Sequence, residues 1–285
     1  MEKLVLAKEG VFPVVYNHIG ERISDAPKTG LQFPGTIQGE GKLAGVPSLF
    51  IRLSGCNLRC IWQMEDNSFC RCDTTYASFH PNEIIELSTD DVFNWVKYNL
   101  DGIHHVVITG GEPLLQKRAL APLCQKLKEE LNVHITIESN GSLFDANVAQ
   151  WIDLFSISPK LSNSVPTPEK LAAYQLNEAG PYKFHNQKRR NIEALQAYID
   201  LTNSSNKELQ LKFVAGKSDD YNEIKDDFLS HLLNWKADDI MLMPLGATRE
   251  EIAKSSPLVL EMAIRNGWRF CPRVHIELFG SKSGV

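Results

Sequence analysis

The chain predicts an α/β fold, an incomplete (β/α)6-type barrel, on three observations. From residue 48 onward, short β-branched runs alternate with amphipathic stretches, the pattern of strand–helix units around a parallel sheet. At 285 residues the chain has room for one barrel-sized domain, since barrels of this class run to about 250 residues. The residues with unusual chemistry follow directly after the strand-like runs, where such barrels build their sites.

Taken in order, the first 30 residues precede the alternation and read as an N-terminal extension, leaving 31–285 as the barrel domain. Candidate strands are 49–53, 105–109, 133–138, 154–158, 209–214 and 240–243. Between them, 89–100, 114–131, 186–201, 221–235 and 249–266 read as helices, several opened by Asp, Asn or Thr in the cap region. Residues 161–185, rich in Pro, Asn and Ser, form a long excursion without recognisable chemistry. No internal repeat and no low-complexity segment is present.

A net charge of −5 gives no global basic field, so a small-molecule substrate is expected rather than nucleic acid. The amino-terminal apolar stretch is too short for a signal peptide, and no segment approaches the ~20 apolar residues of a membrane span. The expectation is a cytoplasmic protein with reduced thiols. Cys124 and Cys271 read as small buried hydrophobes, and Lys188-Arg189-Arg190 as a solvated helix face.

The most informative segment follows the first strand of the alternation. Cys56, Cys60, Cys70 and Cys72 crowd one loop, and thiolates so gathered want a soft metal. Structural zinc sites usually pair two Cys-x2-4-Cys knuckles, which Cys56-x3-Cys60 followed by a long gap and Cys70-x-Cys72 fits poorly. An iron–sulfur cluster on three thiolates would leave one iron open for a second cofactor. Zinc, a cluster and structural cysteines all stay open on spacing alone.

The other strand ends carry polar groups. Gly110-Gly111 permits close backbone approach, and Glu112 supplies an acceptor for an ammonium group. Ser139 and Asn140 offer hydroxyl and amide groups suited to a ribose. Lys160, after Ser158-Pro159, needs an anion or must snorkel outward. Ahead of the barrel, Gln38 and Glu40 on a glycine-rich backbone suit the amide-like edge of a heterocycle, and Arg52 suits a carboxylate held by two parallel hydrogen bonds. Arg273, His275 and Lys282 are polar groups in an apolar tail.

Together, Gln38-Gly39-Glu40-Gly41, Arg52, Gly55-Cys56-Asn57-Leu58-Arg59-Cys60, Cys72-Asp73-Thr74, Thr109-Gly110-Gly111-Glu112-Pro113, Ser158-Pro159-Lys160 and the ending around His275 resemble the 7-carboxy-7-deazaguanine synthase family of the radical S-adenosylmethionine superfamily, over residues 33–285. The resemblance implies the partial barrel of that superfamily and a [4Fe-4S] cluster on Cys56, Cys60 and Cys72. It implies S-adenosylmethionine chelated at the open iron and cleaved by one electron to a 5′-deoxyadenosyl radical. In the family that radical takes a hydrogen from C6 of 6-carboxy-5,6,7,8-tetrahydropterin, whose ring contracts with loss of ammonia. Carried over, Thr74 would ligate Mg2+. Arg71, Asp73, Gly111, Glu112, Ser139, Ser158, Pro159, Lys160, Met243, Pro244, Leu245 and Gly246 would bind S-adenosylmethionine. Ile37, Gln38, Gly39, Glu40, Arg52, Thr109, His275 and Val285 would bind the pterin. A homodimer and an external one-electron donor such as flavodoxin or ferredoxin are the implied partners.

Three departures stand out: an insertion at about 63–71 that brings Cys70, the amino-terminal extension, and the excursion. The alternatives are a radical S-adenosylmethionine activase that installs a glycyl radical on a partner protein, and a non-catalytic zinc-binding protein using all four cysteines.

Overall fold

A computed structural model describes residues 2–78, 83–280 and 282–285. Its strands are β1 (Lys3–Phe12), β2 (Thr36–Ile37), β3 (Pro47–Leu53), β4 (Ile61–Gln63), β5 (Phe69–Arg71), β6 (Ile84–Ser88), β7 (His105–Gly110), β8 (His134–Ser139), β9 (Leu154–Ile157), β10 (Glu208–Ala215), β11 (Ile240–Pro244) and β12 (Arg269–Phe270). The main sheet runs β12-β11-β10-β9-β8-β7-β3-β1-β6, with β2 paired to β3, and β4 and β5 form a separate hairpin. From β3 to β12 every neighbour pair is parallel, so the six expected strands lie side by side in chain order and the short β12 extends them. This is the open α/β barrel that the alternation predicts.

Period-two alternation sorts the strand residues. Leu49, Ile51, Leu53, Val106, Ile108, Ile135, Ile137, Phe155, Ile157, Leu211, Phe213 and Leu242 join one apolar core with Leu120, Leu123, Leu127, Tyr198, Val259 and Met262 of the covering helices. The alternate positions turn inward. Phe50, Arg52, Thr109, Glu138, Ser156, Lys212, Val214 and Met243 line one central cavity. A parallel sheet buried on both faces normally reads as continuous apolar sequence, so Arg52, Thr109, Glu138, Ser156 and Lys212 among these inward positions mark a working interior.

The helices Thr89–Lys97 and Arg249–Asn266 each open on a capping box, Ser88 with Asp91 and Thr248 with Glu251. Other boundaries differ from expectation. The expected helix 186–201 is two helices, Pro181–Lys188 and Ile192–Asn203, and 221–235 is an irregular run of α, π and 3-10 turns from Asp220 to His231. Within the supposed extension, Lys3–Phe12 is a strand of the main sheet, antiparallel to both β3 and β6. Among the described residues no helix is long and apolar enough to cross a membrane.

Candidate active site

The cysteine loop leaves the end of β3 and continues into the β4–β5 hairpin, so the insertion is an ordered element. Ile61 pairs with Arg71, Trp62 with Cys70 and Gln63 with Phe69, turning through Asn67 at φ 63°. At the base, Cys72 N donates to Cys60 O at 3.3 Å. Residues twelve apart in sequence are thereby neighbours, which restores the closeness that a short gap would give. Cys60, Trp62, Met64 and Cys70 share one face and pack with Leu58 and Leu245, with Cys56 and Cys72 against them.

All four thiols line the cavity and none is in a disulfide. Burial pushes Cys56 up to about 11 and Cys70 to about 12, and raises Cys60 and Cys72 as well. Uptake of a metal group here must therefore expel protons. Free thiols gathered in one cavity are the soft donors that an iron–sulfur cluster takes. Among the described residues no three His, Cys, Asp or Glu side chains gather as ligands of one ion, so the thiols share the cavity without being set around a single metal.

Gly110 and Gly111 serve this loop directly. A Cβ on Gly110, at φ 153°, would stand 2.2 Å from Leu53 O, and one on Gly111 2.1 Å from Gly55 O. Their close approach is to the backbone of the cysteine loop, locked by Gly111 N to Leu53 O (3.1 Å) and Glu112 N to Gly55 O (2.8 Å). Glu112 departs from expectation. It is 0% exposed and off the cavity wall, accepting from Ser139 Oγ at 3.0 Å, Asn140 N at 2.8 Å and Leu114 N at 3.1 Å. Burial raises its carboxyl pKa despite those bonds.

The same cavity holds an ion network centred on the buried Glu40. Glu40 is paired with Lys212 and, at 2.9 Å, with Arg273 Nε, while His275 Nε2 lies 3.9 Å away. Arg273 Nη2 reaches Asp73 at 2.6 Å and Nη1 donates to Gly246 O at 2.6 Å. Burial would raise the Glu40 carboxyl, but Lys212, Arg273 and His275 outweigh it and hold it well below the usual range. Gln38 Nε2 donates to Glu138 at 3.1 Å, and a Cβ on Gly39 would stand 2.1 Å from His275 Nδ1. Arg52 lies over Phe12 at 5.0 Å and Tyr76 at 5.9 Å, and its buried Nε has no protein acceptor. Such an orphaned donor suits an anionic ligand.

Of the residues expected in the site, Ile37, Gln38, Gly39, Glu40, Arg52, Arg71, Asp73, Thr74, Thr109, Gly111, Ser139, Ser158, Lys160, the run Met243 to Gly246, His275 and Val285 all line this one cavity beside the cysteines. Thr74 Oγ1 is 3.3 Å from Cys72 Sγ, and Lys160 Nζ donates to Ser158 Oγ at 2.7 Å. Glu112 and Pro159 lie outside the lining. Sequence reasoning passed over Lys212 as a site residue. A lysine inside the apolar strand Leu209 to Ala215 was the available signal, since at 5% exposure it needs a buried anion.

A strand-end cavity carrying clustered thiols on an open parallel barrel defines the radical S-adenosylmethionine class, and a sequence profile of the Radical SAM superfamily matches residues 50–161. The chain is 36% identical over 251 residues to 7-carboxy-7-deazaguanine synthase of Rhodopirellula baltica, covering 87% of this chain and 85% of that one. With the enzyme of the same name from Halobacterium salinarum the identity is 36% over 250 residues, covering 86% and 87%. The chain belongs to the 7-carboxy-7-deazaguanine synthase family. The crystal structure of QueE from Escherichia coli shares the fold, with a TM-score of 0.58 at 22% identity over 93% of this chain and 95% of that one.

Proposed function

We propose that the protein converts 6-carboxy-5,6,7,8-tetrahydropterin to 7-carboxy-7-deazaguanine with loss of ammonia, a step toward 7-deazapurines such as the queuosine base. What carries the reading is kinship at 36% identity with enzymes of that name, over 87% of this chain and 85% of the Rhodopirellula baltica one. Cys56, Cys60 and Cys72 would hold the cluster, and Thr74 would hold Mg2+ beside it. Bound together, the cluster and S-adenosylmethionine supply hydrogen-atom abstraction after one-electron reduction.

The chain's own residues set where that chemistry falls. Ser158, Lys160 and the Met243 to Gly246 run at the end of β11 cradle S-adenosylmethionine, with Glu112 fixing the Ser139-Asn140 turn from behind. Gln38, Glu40 and Thr109 read the heterocycle while Arg52 clamps its carboxylate, orienting the carbon that gives up hydrogen. Lys212 and Arg273 keep Glu40 ionised as an acceptor for the ring's N–H edge. A cytoplasmic enzyme, a homodimer and a flavodoxin- or ferredoxin-type donor complete the proposal.

A glycyl-radical activase would have no use for the Glu40, Gln38 and Arg52 wall. Anaerobic incubation of reconstituted protein with reductant, S-adenosylmethionine and the tetrahydropterin, followed by mass analysis, is expected to give 7-carboxy-7-deazaguanine. Methionine and 5′-deoxyadenosine without that product would overturn the substrate assignment.

A further inference from the structure

The two internal departures from the family pattern, the hairpin and the excursion, are bound to each other. Gln63 N donates to Asn163 Oδ1 at 3.1 Å and Asn163 Nδ2 returns a bond to Gln63 O at 3.0 Å. Tyr174 Oη donates to Phe69 O at 2.8 Å. The decisive contact comes from the helix Pro181–Lys188. His185, 0% exposed, accepts from Arg59 N at Nδ1 over 3.0 Å, and Arg59 lies between Cys56 and Cys60.

A backbone N–H can only donate, so Nδ1 must be the bare nitrogen and Nε2 carries the proton. Nε2 lies 3.1 Å from Ser164 Oγ, whose own hydrogen goes to Leu161 O at 2.6 Å. One directed chain of hydrogen bonds thus runs from the cysteine loop through an imidazole of fixed tautomer to the residue after Lys160. Arg189 closes the frame, donating to Lys160 O at 3.0 Å and to Glu223 at 2.7 Å, while Glu223 accepts from Ser162 N at 2.8 Å.

We propose that His185 is a positioning residue for the Cys56–Cys60 loop, and that residues 161–190 are a brace offsetting the lengthened connection between Cys60 and Cys72. The lengthened loop would otherwise hang Cys60 and Cys72 from the base of a hairpin with few fixed points. Held at Arg59, Gln63 and Phe69, it presents them at one wall. The inference rests on the function proposed above for its account of what the thiols hold, but not for the bond itself.

Hydrogen exchange of the apoprotein at the Arg59 amide reads that bond without a cluster. Iron release to a chelator from anaerobically reconstituted protein reads its consequence. His185→Phe keeps the volume and removes the acceptor, and both rates are expected to rise about tenfold, the effect of leaving one buried donor unpaired. His185→Asn, whose Oδ1 can take the place of Nδ1, is expected to bring both within about threefold of the parent. Unchanged Arg59 exchange in His185→Phe, or an Asn variant as fast as the Phe variant, would show that the ring only fills space. Should the Phe variant not fold, His185→Leu takes its place in the same comparison. A parent protein that takes up no iron and sulfide would sink the cofactor reading, while the exchange measurement would still judge the brace.

Discussion

Arg52 shows how much a single side chain decides when it faces inward from a strand. Its guanidinium is stacked on Phe12 with a buried Nε unsatisfied by protein, so its planar fork is held ready for a carboxylate. Arg52→Lys is expected to weaken tetrahydropterin binding by about 2 to 4 kcal/mol and leave S-adenosylmethionine affinity nearly unchanged, since an ammonium cannot reproduce the paired bonds. Calorimetric titration of each ligand checks it, and substrate affinity within threefold of the parent would remove Arg52 as the clamp. Thr74 supports a second prediction. Its hydroxyl lies 3.3 Å from Cys72 Sγ, and if it holds Mg2+ as proposed, Thr74→Val, equal in shape, should keep the cluster absorbance and lose activation by that ion. Deoxyadenosine and product measured in parallel across a magnesium titration decide this, with deoxyadenosine persisting as product falls. At this scale the sequence was legible wherever a residue sat in a compact motif. Lys212 was passed over and Arg273 stood out only as a polar group in an apolar tail, because their anion, Glu40, is 172 and 233 residues away and nothing local names so distant a partner.

The hairpin carries the argument at the level of elements. Its register sets Cys70 opposite Trp62, two positions out from the base where Cys72 bonds Cys60. Alanine at Cys56, Cys60 or Cys72 should therefore abolish S-adenosylmethionine cleavage, whereas Cys70→Ala removes a packing sulfur at a cost of about 1 kcal/mol and keeps activity within about threefold. Iron content and cleavage rate across the four variants test it; a dead Cys70→Ala beside an active Cys72→Ala would exchange their roles. The six parallel strands were legible because each pairs with the next of them in sequence and helices such as Lys117–Leu131 and Ile192–Asn203 separate several of them. Strand β1 was not, because its partners are β3 and β6, and nothing in Lys3–Phe12 names them. The excursion read as empty of chemistry for a similar reason. Its work is done through backbone groups of a hairpin about a hundred residues earlier.

For the whole molecule, buried neutral imidazoles link the fold to pH. His105, in the barrel floor, lies between Ser48 Oγ at 2.7 Å and Thr136 Oγ1 at 2.8 Å, and burial with His134 nearby lowers its pKa to about 4. Burial likewise lowers His185 to about 3, helped by Arg189 and Lys160. Above the ordinary histidine value of about 6.5 neither ring affects stability, because both states leave it neutral. As pH falls below that value the unfolded chain takes up protons that the folded chain refuses, so stability declines until each ring titrates in the fold, and is flat in that respect below. Glu40 works in a lower window. Its depressed carboxyl stabilises the fold above the ordinary glutamate value of about 4.3, and that contribution is lost as pH drops further. Urea unfolding of the apoprotein at pH 7, 6 and 5 should thus show stability falling with acidity above the window in which Glu40 counts. His105→Gln, which keeps polar atoms toward Ser48 and Thr136 but cannot charge, should lower stability at pH 7 yet flatten the decline by up to about 1.4 kcal/mol per pH unit, one proton's worth. A variant whose decline parallels the parent's would assign the acid sensitivity to other groups.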